Sequence, residues 1–183
     1  MIKISKNDLE RVHQGDIFRN VEYLENVTEQ DGNCFISKIV FPYCLVLTQD
    51  CDLAQDHDYR NSDSKGGDKI LISVIIAPLY NNEHFKAGEH LSNLKLRMSP
   101  IAWKATEGNN IRNNQHPRYH YFKFGDDVEL PDSVLDFKHY FTVKIDQLES
   151  IKTKDYIGSV CELYREDVSH RFSTFLSRIG LPD

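Results

Sequence analysis

From Cys34 to Thr48 the chain carries Phe35, Ile36, Ile39, Val40, Phe41, Tyr43, Cys44, Leu45, Val46 and Leu47, apolar side chains that fall on both faces of an extended chain. An extended chain points successive side chains to opposite faces, so this run needs cover on both sides and predicts a central strand. Pro42 lacks an amide donor and marks a bulge or break within it. A second run of this kind, Lys69 to Leu79, is rich in Ile and Val. Two doubly buried strands within 183 residues imply a mainly β core. A chain of this length buries roughly two-thirds of its unfolded surface around one core.

The remaining segments arrange themselves around those strands. Ser5 to Val12 predicts a short helical turn with Ser5 as its cap, ended by the turn signal His13-Gln14-Gly15-Asp16. Ile17, Phe18, Val21 and Tyr23 suggest a first strand without clean alternation, and Asn26 to Asn33, holding Asp31-Gly32, reads as a hairpin loop. Gln49-Asp50-Cys51-Asp52 ends the central strand, and Gln55 to Asp68 continues as a polar loop of the functional or mobile kind. Asn81 to Asn114 holds short helical pieces around Leu91, Leu94, Leu96 and Trp103 without a clean period. His116 to Phe124 resumes an aromatic strand, joined by Gly125 to Asp132 to a further strand, Asp136 to Val143, with Phe137, His139, Phe141 and Val143 on one face. Val168, Phe172, Phe175, Leu176 and Ile179 form the stripe of an amphipathic C-terminal helix over about 164–179, stopped by Gly180 and Pro182. The expected organisation is one domain over 1–183, α+β and mainly β, with a β core over about 12–151.

Composition removes several function classes. No apolar stretch can span a bilayer, because the run from Ile70 to Leu79 is interrupted by Ser73 and Pro78. Met1 to Asp8 turns polar where a signal peptide would become apolar, so a cytoplasmic protein without membrane partners is expected. The four cysteines, Cys34, Cys44, Cys51 and Cys161, are then expected as reduced thiols. A formal charge of −6 argues against the uniformly basic surface that grips duplex DNA. It leaves room for local basic patches at Arg165, Arg171 and Arg178 or at Arg112, Arg118 and Lys123, for which ordinary solvated charge is the simpler account.

Two clusters carry candidate chemistry. Thr48-Gln49-Asp50-Cys51-Asp52 follows a buried strand at the end of a sheet, where sites often form. Cys51 could act as a nucleophile, or Asp50 and Asp52 as an acid and base or a metal pair; flanking carboxylates raise a thiol's pKa unless a His or Arg lies close. The same residues could instead turn the chain through side-chain bonds to backbone. In the other cluster, spacing by two puts His116, Arg118 and His120 on one side of an extended run, a cation between two imidazoles suited to phosphate or proton transfer. Its alternative is a polar outer face with Tyr119 and Tyr121 turned inward. The spacings of Cys44 to Cys51 and His116 to His120 form no zinc finger, and Asp56-His57-Asp58-Tyr59-Arg60 has Arg60 where a calcium loop needs oxygen. No phosphate loop, dinucleotide fingerprint or nucleophile elbow occurs, and neither a cofactor nor a metal is expected.

Three segments in order, Gln14-Gly15-Asp16-Ile17-Phe18, Pro42-Tyr43-Cys44-Leu45-Val46-Leu47-Thr48 and Ile75-Ile76-Ala77-Pro78-Leu79, resemble the MazF/PemK-like family of toxin endoribonucleases. Asp146-Gln147-Leu148-Glu149-Ser150-Ile151 looks like that family's closing strand. The resemblance implies an SH3-like β-barrel, with residues 81–114 as an insertion and the C-terminal helix as an addition. It also implies RNA as a partner, and a cognate antitoxin or defence protein or a homodimer as the protein partner. In those toxins an Arg precedes the proline of the central strand and acts with the terminal Ser or Thr on the RNA phosphate. Here Thr48 matches but Phe41 stands in the place of the Arg, so Arg118 or Arg60 would have to supply the cation. With the two clusters above added to Thr48, the expected catalytic group is Thr48, Asp50, Cys51, Asp52, Arg118 and His120. Beside RNA cleavage stand two alternatives, an inactive barrel serving as a protein-interaction module and a hydrolase using Cys51 with His120 or His139.

Overall fold

The computed structural model describes residues 1–7, 10–62, 67–125 and 128–178. Among these, the strands are β1 (Ile4–Ser5), β2 (Asp16–Gln30), β3 (Asn33–Val46), β4 (Val74–Asn81), β5 (Tyr119–Phe122), β6 (Ser133–Asp136), β7 (Phe141–Val143) and β8 (Tyr156–Val160). They form one antiparallel sheet in the order β1-β8-β2-β3-β4-β6-β5, with β7 also on β4. Ile2 bridges Phe124 and donates its amide to Lys123 O at 2.7 Å, so the two ends of the strand path meet and the sheet curls. The helices are α1 (Asp50–Arg60), α2 (Asn82–Ala87), α3 (Thr106–Arg112), α4 (Ile145–Asp155) and α5 (Glu162–Leu176). The class is α+β, as expected, and the strand pairings are antiparallel. No helix among the described residues is long and apolar enough to cross a membrane.

Alternation along the strands divides the interior into two main cores. Ile17, Leu45, Leu47, Ala77 and Leu79 point into a core closed by Val168, Phe172 and Phe175 of α5. Their neighbours Phe18, Cys44, Val46, Val74 and Ile76 point into another, closed by Leu53 of α1 and by Ile145 and Leu148 of α4. Cover on both faces is what the apolar runs demanded, and it explains why Leu45 and Val46 can be adjacent and both buried. A smaller cluster of Phe85, Ile111, Tyr119 and Val134 holds α2 and α3 against β5 and β6.

Several expectations are corrected. The polar segment after Thr48 is a helix through Arg60: Asp50 and Asp52 sit in its first turn, where the helix dipole favours carboxylates, and Leu53 and Asp56 anchor its inner side. Asp146 to Ile151 belongs to α4 and not to a closing strand, because Ile145, Leu148, Lys152 and Asp155 recur at helical spacing on the buried side. The run from Asp136 to Val143 is two strands along β4, with residues 137–140 turning out between them. Ser5 lies in β1 rather than capping a helix; no helix is formed by the described residues of 5–12, and Asp8 and Leu9 lie outside them. Gly180, Pro182 and Ile179 also lie outside the described residues, whereas Val168, Phe172 and Phe175 form the expected stripe of α5.

The β2–β3 hairpin departs furthest from expectation. Its strands run on to Gln30 and Asn33, leaving Asp31-Gly32 as a two-residue turn with φ of 54° and 74°, the left-handed pair such turns require. Its register shift falls at Leu24/Asn26. At Pro42 the register is unbroken, but the ladder skips the facing Asn20, whose φ is 56°.

Candidate functional site

The turn before β2 and the end of β3 are locked together. Asp50 accepts both guanidinium nitrogens of Arg11, at 3.1 and 2.9 Å, and the Gln14 amide at 3.1 Å, with His13 Nδ1 3.4 Å away. Partial burial pushes its carboxyl upward, but the Arg11 bonds, the Gln14 amide and the nearby His13 outweigh this and hold it below the usual value. Gln14 Nε2 also donates to Leu47 O at 3.2 Å. Thr48 Oγ1 accepts the Ile75 amide at 2.6 Å, joining the start of β4 to the end of β3. Cys51 and Asp52 lie exposed on the first turn of α1, with the Cys51 thiol 3.6 Å from Gln49 Oε1 and 3.7 Å from Asp52 Oδ1.

Arg118 and His120 belong to another part of the sheet. Arg118 Nε and Nη2 donate to the two oxygens of Asp136 at 2.8 and 2.6 Å, and this carboxylate is wholly buried. Asp136 also accepts the Lys138 amide at 3.0 Å and lies 3.3 Å from His139 Nδ1, which is 3.2 Å from the Tyr80 hydroxyl. His120 is 1% exposed, against the rings of Phe122 and Phe137, and burial together with Arg171 depresses it to about 3. His116 precedes β5 and accepts the Arg118 amide at 3.2 Å, so it does not share a strand face with His120.

The six expected catalytic residues therefore fall into two groups, and among the described residues no hydrogen bond or ion pair joins Thr48, Asp50, Cys51 or Asp52 to Arg118 or His120. β3 and β5 are separated by β4 and β6 along the sheet. Arg60 is engaged as well, by Asp56 at 2.7 Å and Leu71 O at 3.1 Å. Arg171 donates to Asn114 O, His116 O and Tyr119 O, tying α5 to the turn before β5. Sequence reasoning passed over Arg11, Asp16, Tyr80, His90, Asp136 and Lys152. Asp16 and Lys152, both buried, face one another at 4.0 Å, and burial raises the Asp16 carboxyl despite the His13 amide and Lys152. Local spacing does not reveal Arg11, Asp16, Asp136 and Lys152, because the ionic partner of each comes from a distant segment.

The outer half of the β2–β3 hairpin has the opposite character. Every residue from Glu22 to Lys38 is exposed, so the ribbon stands off the sheet as an arm. Paired residues share a face, and the register puts Leu24, Val27, Ile36 and Val40 together on one side, 60%, 55%, 61% and 42% exposed. A single ion pair, Lys38 to Glu22, crosses that face. Toward the base, the other face is held by Tyr23 and Phe41 against Phe141 of β7, at 5.1 and 5.3 Å between ring centroids. Four acids, Glu22, Glu25, Glu29 and Asp31, stand on the arm against the one base Lys38. A two-stranded ribbon is marginal alone in water, and this one leaves Leu24, Val27, Ile36 and Val40 open to solvent. No protein-family model matches the chain, and no curated protein matches it.

Proposed function

We propose that this chain is a protein-interaction module whose β2–β3 arm receives an apolar, basic segment of a partner protein. The observation that carries this is the apolar face of Leu24, Val27, Ile36 and Val40 on an otherwise acidic ribbon. Excess acid on the arm repels both nucleic acid and a second identical arm, and it attracts Lys and Arg on a partner. Among the described residues, the outer strands of the arm also keep unpaired edges beyond the pairings of β2 with β8 and of β3 with β4, the arrangement used in strand addition. The curled antiparallel sheet with a C-terminal helix is consistent with the SH3-like barrel implied by the MazF/PemK resemblance, and a toxin–antitoxin or defence pair is a setting for such a module. RNA cleavage would need a cation free to meet the phosphate, whereas Arg118 and Arg60 are each bound to a carboxylate. An interaction role needs neither released.

Synthetic strand-forming peptides test this, one alternating apolar residues with Lys and a matched one with Glu in place of Lys. The Lys peptide should shift and protect the amides of the arm, and Val27→Thr with Ile36→Thr should weaken it about tenfold. Equal binding of the Glu peptide, a dimer in light scattering that the same double substitution dissolves, or cuts in a mixed RNA pool abolished by Thr48→Ala would each overturn the proposal.

A further inference from the structure

The two edges of the β2–β3 arm differ in what lies beside them. On the β2 side, α4 crosses the edge: Gln147 Nε2 donates to Glu22 O at 3.1 Å, Arg19 Nη2 to Lys154 O at 3.4 Å and Asn20 Nδ2 to Asp155 Oδ1 at 3.1 Å. Only the edge from Tyr23 to Gln30 is left there for an added strand. On the other side β3 pairs with β4 at Cys44↔Pro78, Leu45↔Ala77 and Val46↔Ile76, and then the two strands part. Among the described residues, β3 has no strand partner on that side from Asn33 to Tyr43. Where the strands part lies a cavity of about 400 Å³, walled by Phe41, Pro42 and Tyr43 from β3, by Leu79, Tyr80 and Asn81 from β4, and by the Glu89–Leu94 segment that follows α2. A strand laid along the β3 edge therefore runs into this cavity at its inner end.

The lining decides which side chain enters. Glu89 is the one carboxylate among the described lining residues, and they include no Lys or Arg. Arg97 Nη2 reaches Glu89 Oε1 at 3.1 Å, but the two side chains are 75% and 52% exposed, and a pair so open to water holds its partners weakly. Burial keeps His90 uncharged at neutral pH, and His84 stands exposed, where water screens it. Phe41 and Tyr43, both partly exposed, add aromatic surface of the kind on which a guanidinium stacks. Glu22, Glu25, Glu29 and Asp31 on the arm favour cations along the same path. We propose that the partner's segment pairs with β3 and not with β2, and that an arginine at its inner end enters the cavity, with its stem against Phe41 and Tyr43 and its guanidinium on Glu89. This rests on the arm being a docking element and assigns that element its edge and its anchor.

Two synthetic peptides test it, each alternating Val with Lys over about eight residues, one carrying Arg at both ends and the other Leu, so that either strand direction brings an end residue to the cavity. Binding to the isotope-labelled full chain is read by amide exchange and chemical shift. The Arg peptide should newly protect outward-facing amides between Asn33 and Tyr43, leave those between Tyr23 and Gln30 unprotected, and shift the Tyr43 and Leu91 amides. The Leu peptide should bind about tenfold more weakly, and Glu89→Gln should weaken the Arg peptide about tenfold while leaving the Leu peptide within about twofold. Protection along β2 instead of β3, equal affinity of the two peptides, or undiminished binding of the Arg peptide to Glu89→Gln protein overturns the edge and anchor while the arm remains a docking element. Failure of both peptides to bind overturns the docking role and this inference together.

Discussion

Arg118 separates a structural from a catalytic account of this sheet edge, and the contrast is measurable. Its guanidinium forms a two-bond ion pair with Asp136, at 2.8 and 2.6 Å, in which the carboxylate is 0% exposed and the Arg118 side chain 25% exposed. Arg118→Met strips the buried carboxylate of both charge-assisted bonds. Removing one partner of a buried pair costs about 3–5 kcal/mol. Asp136 keeps the Lys138 amide and His139, so the lower end, about 3 kcal/mol, applies. In a chain of this size that corresponds to a fall in Tm of about 6–12 °C. Asp136→Asn should cost less, about 2 kcal/mol, because Arg118 can turn its charge toward water. Arg118→Met combined with Asp136→Leu should be milder than the sum of the single changes by at least about 1.5 kcal/mol, since neither charge is then left buried alone. Urea unfolding followed by circular dichroism gives the free energies, and a thermal scan by the same signal gives the Tm. A Tm for Arg118→Met within about 1 °C of the parent, or strict additivity in the double variant, would refute the reasoning and return Arg118 to the pool of cations available to a phosphate.

Further outcomes follow from other contacts. Val27→Thr with Ile36→Thr should leave the unfolding free energy within about 0.5 kcal/mol, since both side chains are more than half exposed; a larger loss would mean that the face is already packed. His120 should make the protein acid-labile: the unfolded chain takes up a proton near pH 6.5 that the buried ring refuses until about pH 3, so stability falls as pH drops between those values, by about 1.4 kcal/mol per unit from this residue. His120→Phe should flatten the slope of stability between pH 6 and pH 4, and an unchanged slope would show that this ring is not the source. Arg171→Met should destabilise by about 2–3 kcal/mol, because the carbonyls of Asn114, His116 and Tyr119, at and before the start of β5, lose a charged donor, and hydrogen exchange should quicken first at residues 114–119.

How much could be read in advance depended on whether the controlling interaction was local. The apolar runs at Cys44–Leu47 and Val74–Leu79 betrayed their burial because alternation on a strand is a property of adjacent residues, and both faces of those runs are in fact covered. The same reasoning overreached at Phe35, Ile36 and Val40, which are as apolar as Leu45 yet exposed, since composition cannot say where a ribbon leaves its sheet. It failed for α1, where four of the eleven residues are Asp and only Leu53 and Asp56 reach the interior. The Asp56 carboxylate there meets the Leu71 amide at 2.6 Å, fifteen residues on. Candidate catalytic residues were chosen for what their side chains can do in isolation, but a side chain's availability is decided by its partners. Asp50 meets an Arg thirty-nine residues earlier, and Arg118 meets an Asp eighteen residues later. Once those long-range bonds are counted, Thr48, Asp50 and Arg118 are engaged in holding strands and turns together, whereas Cys51 and Asp52 stay exposed on α1. Outside those bonds the β2–β3 arm leaves Leu24, Val27, Ile36 and Val40 open to solvent, which is the observation on which the proposed association rests.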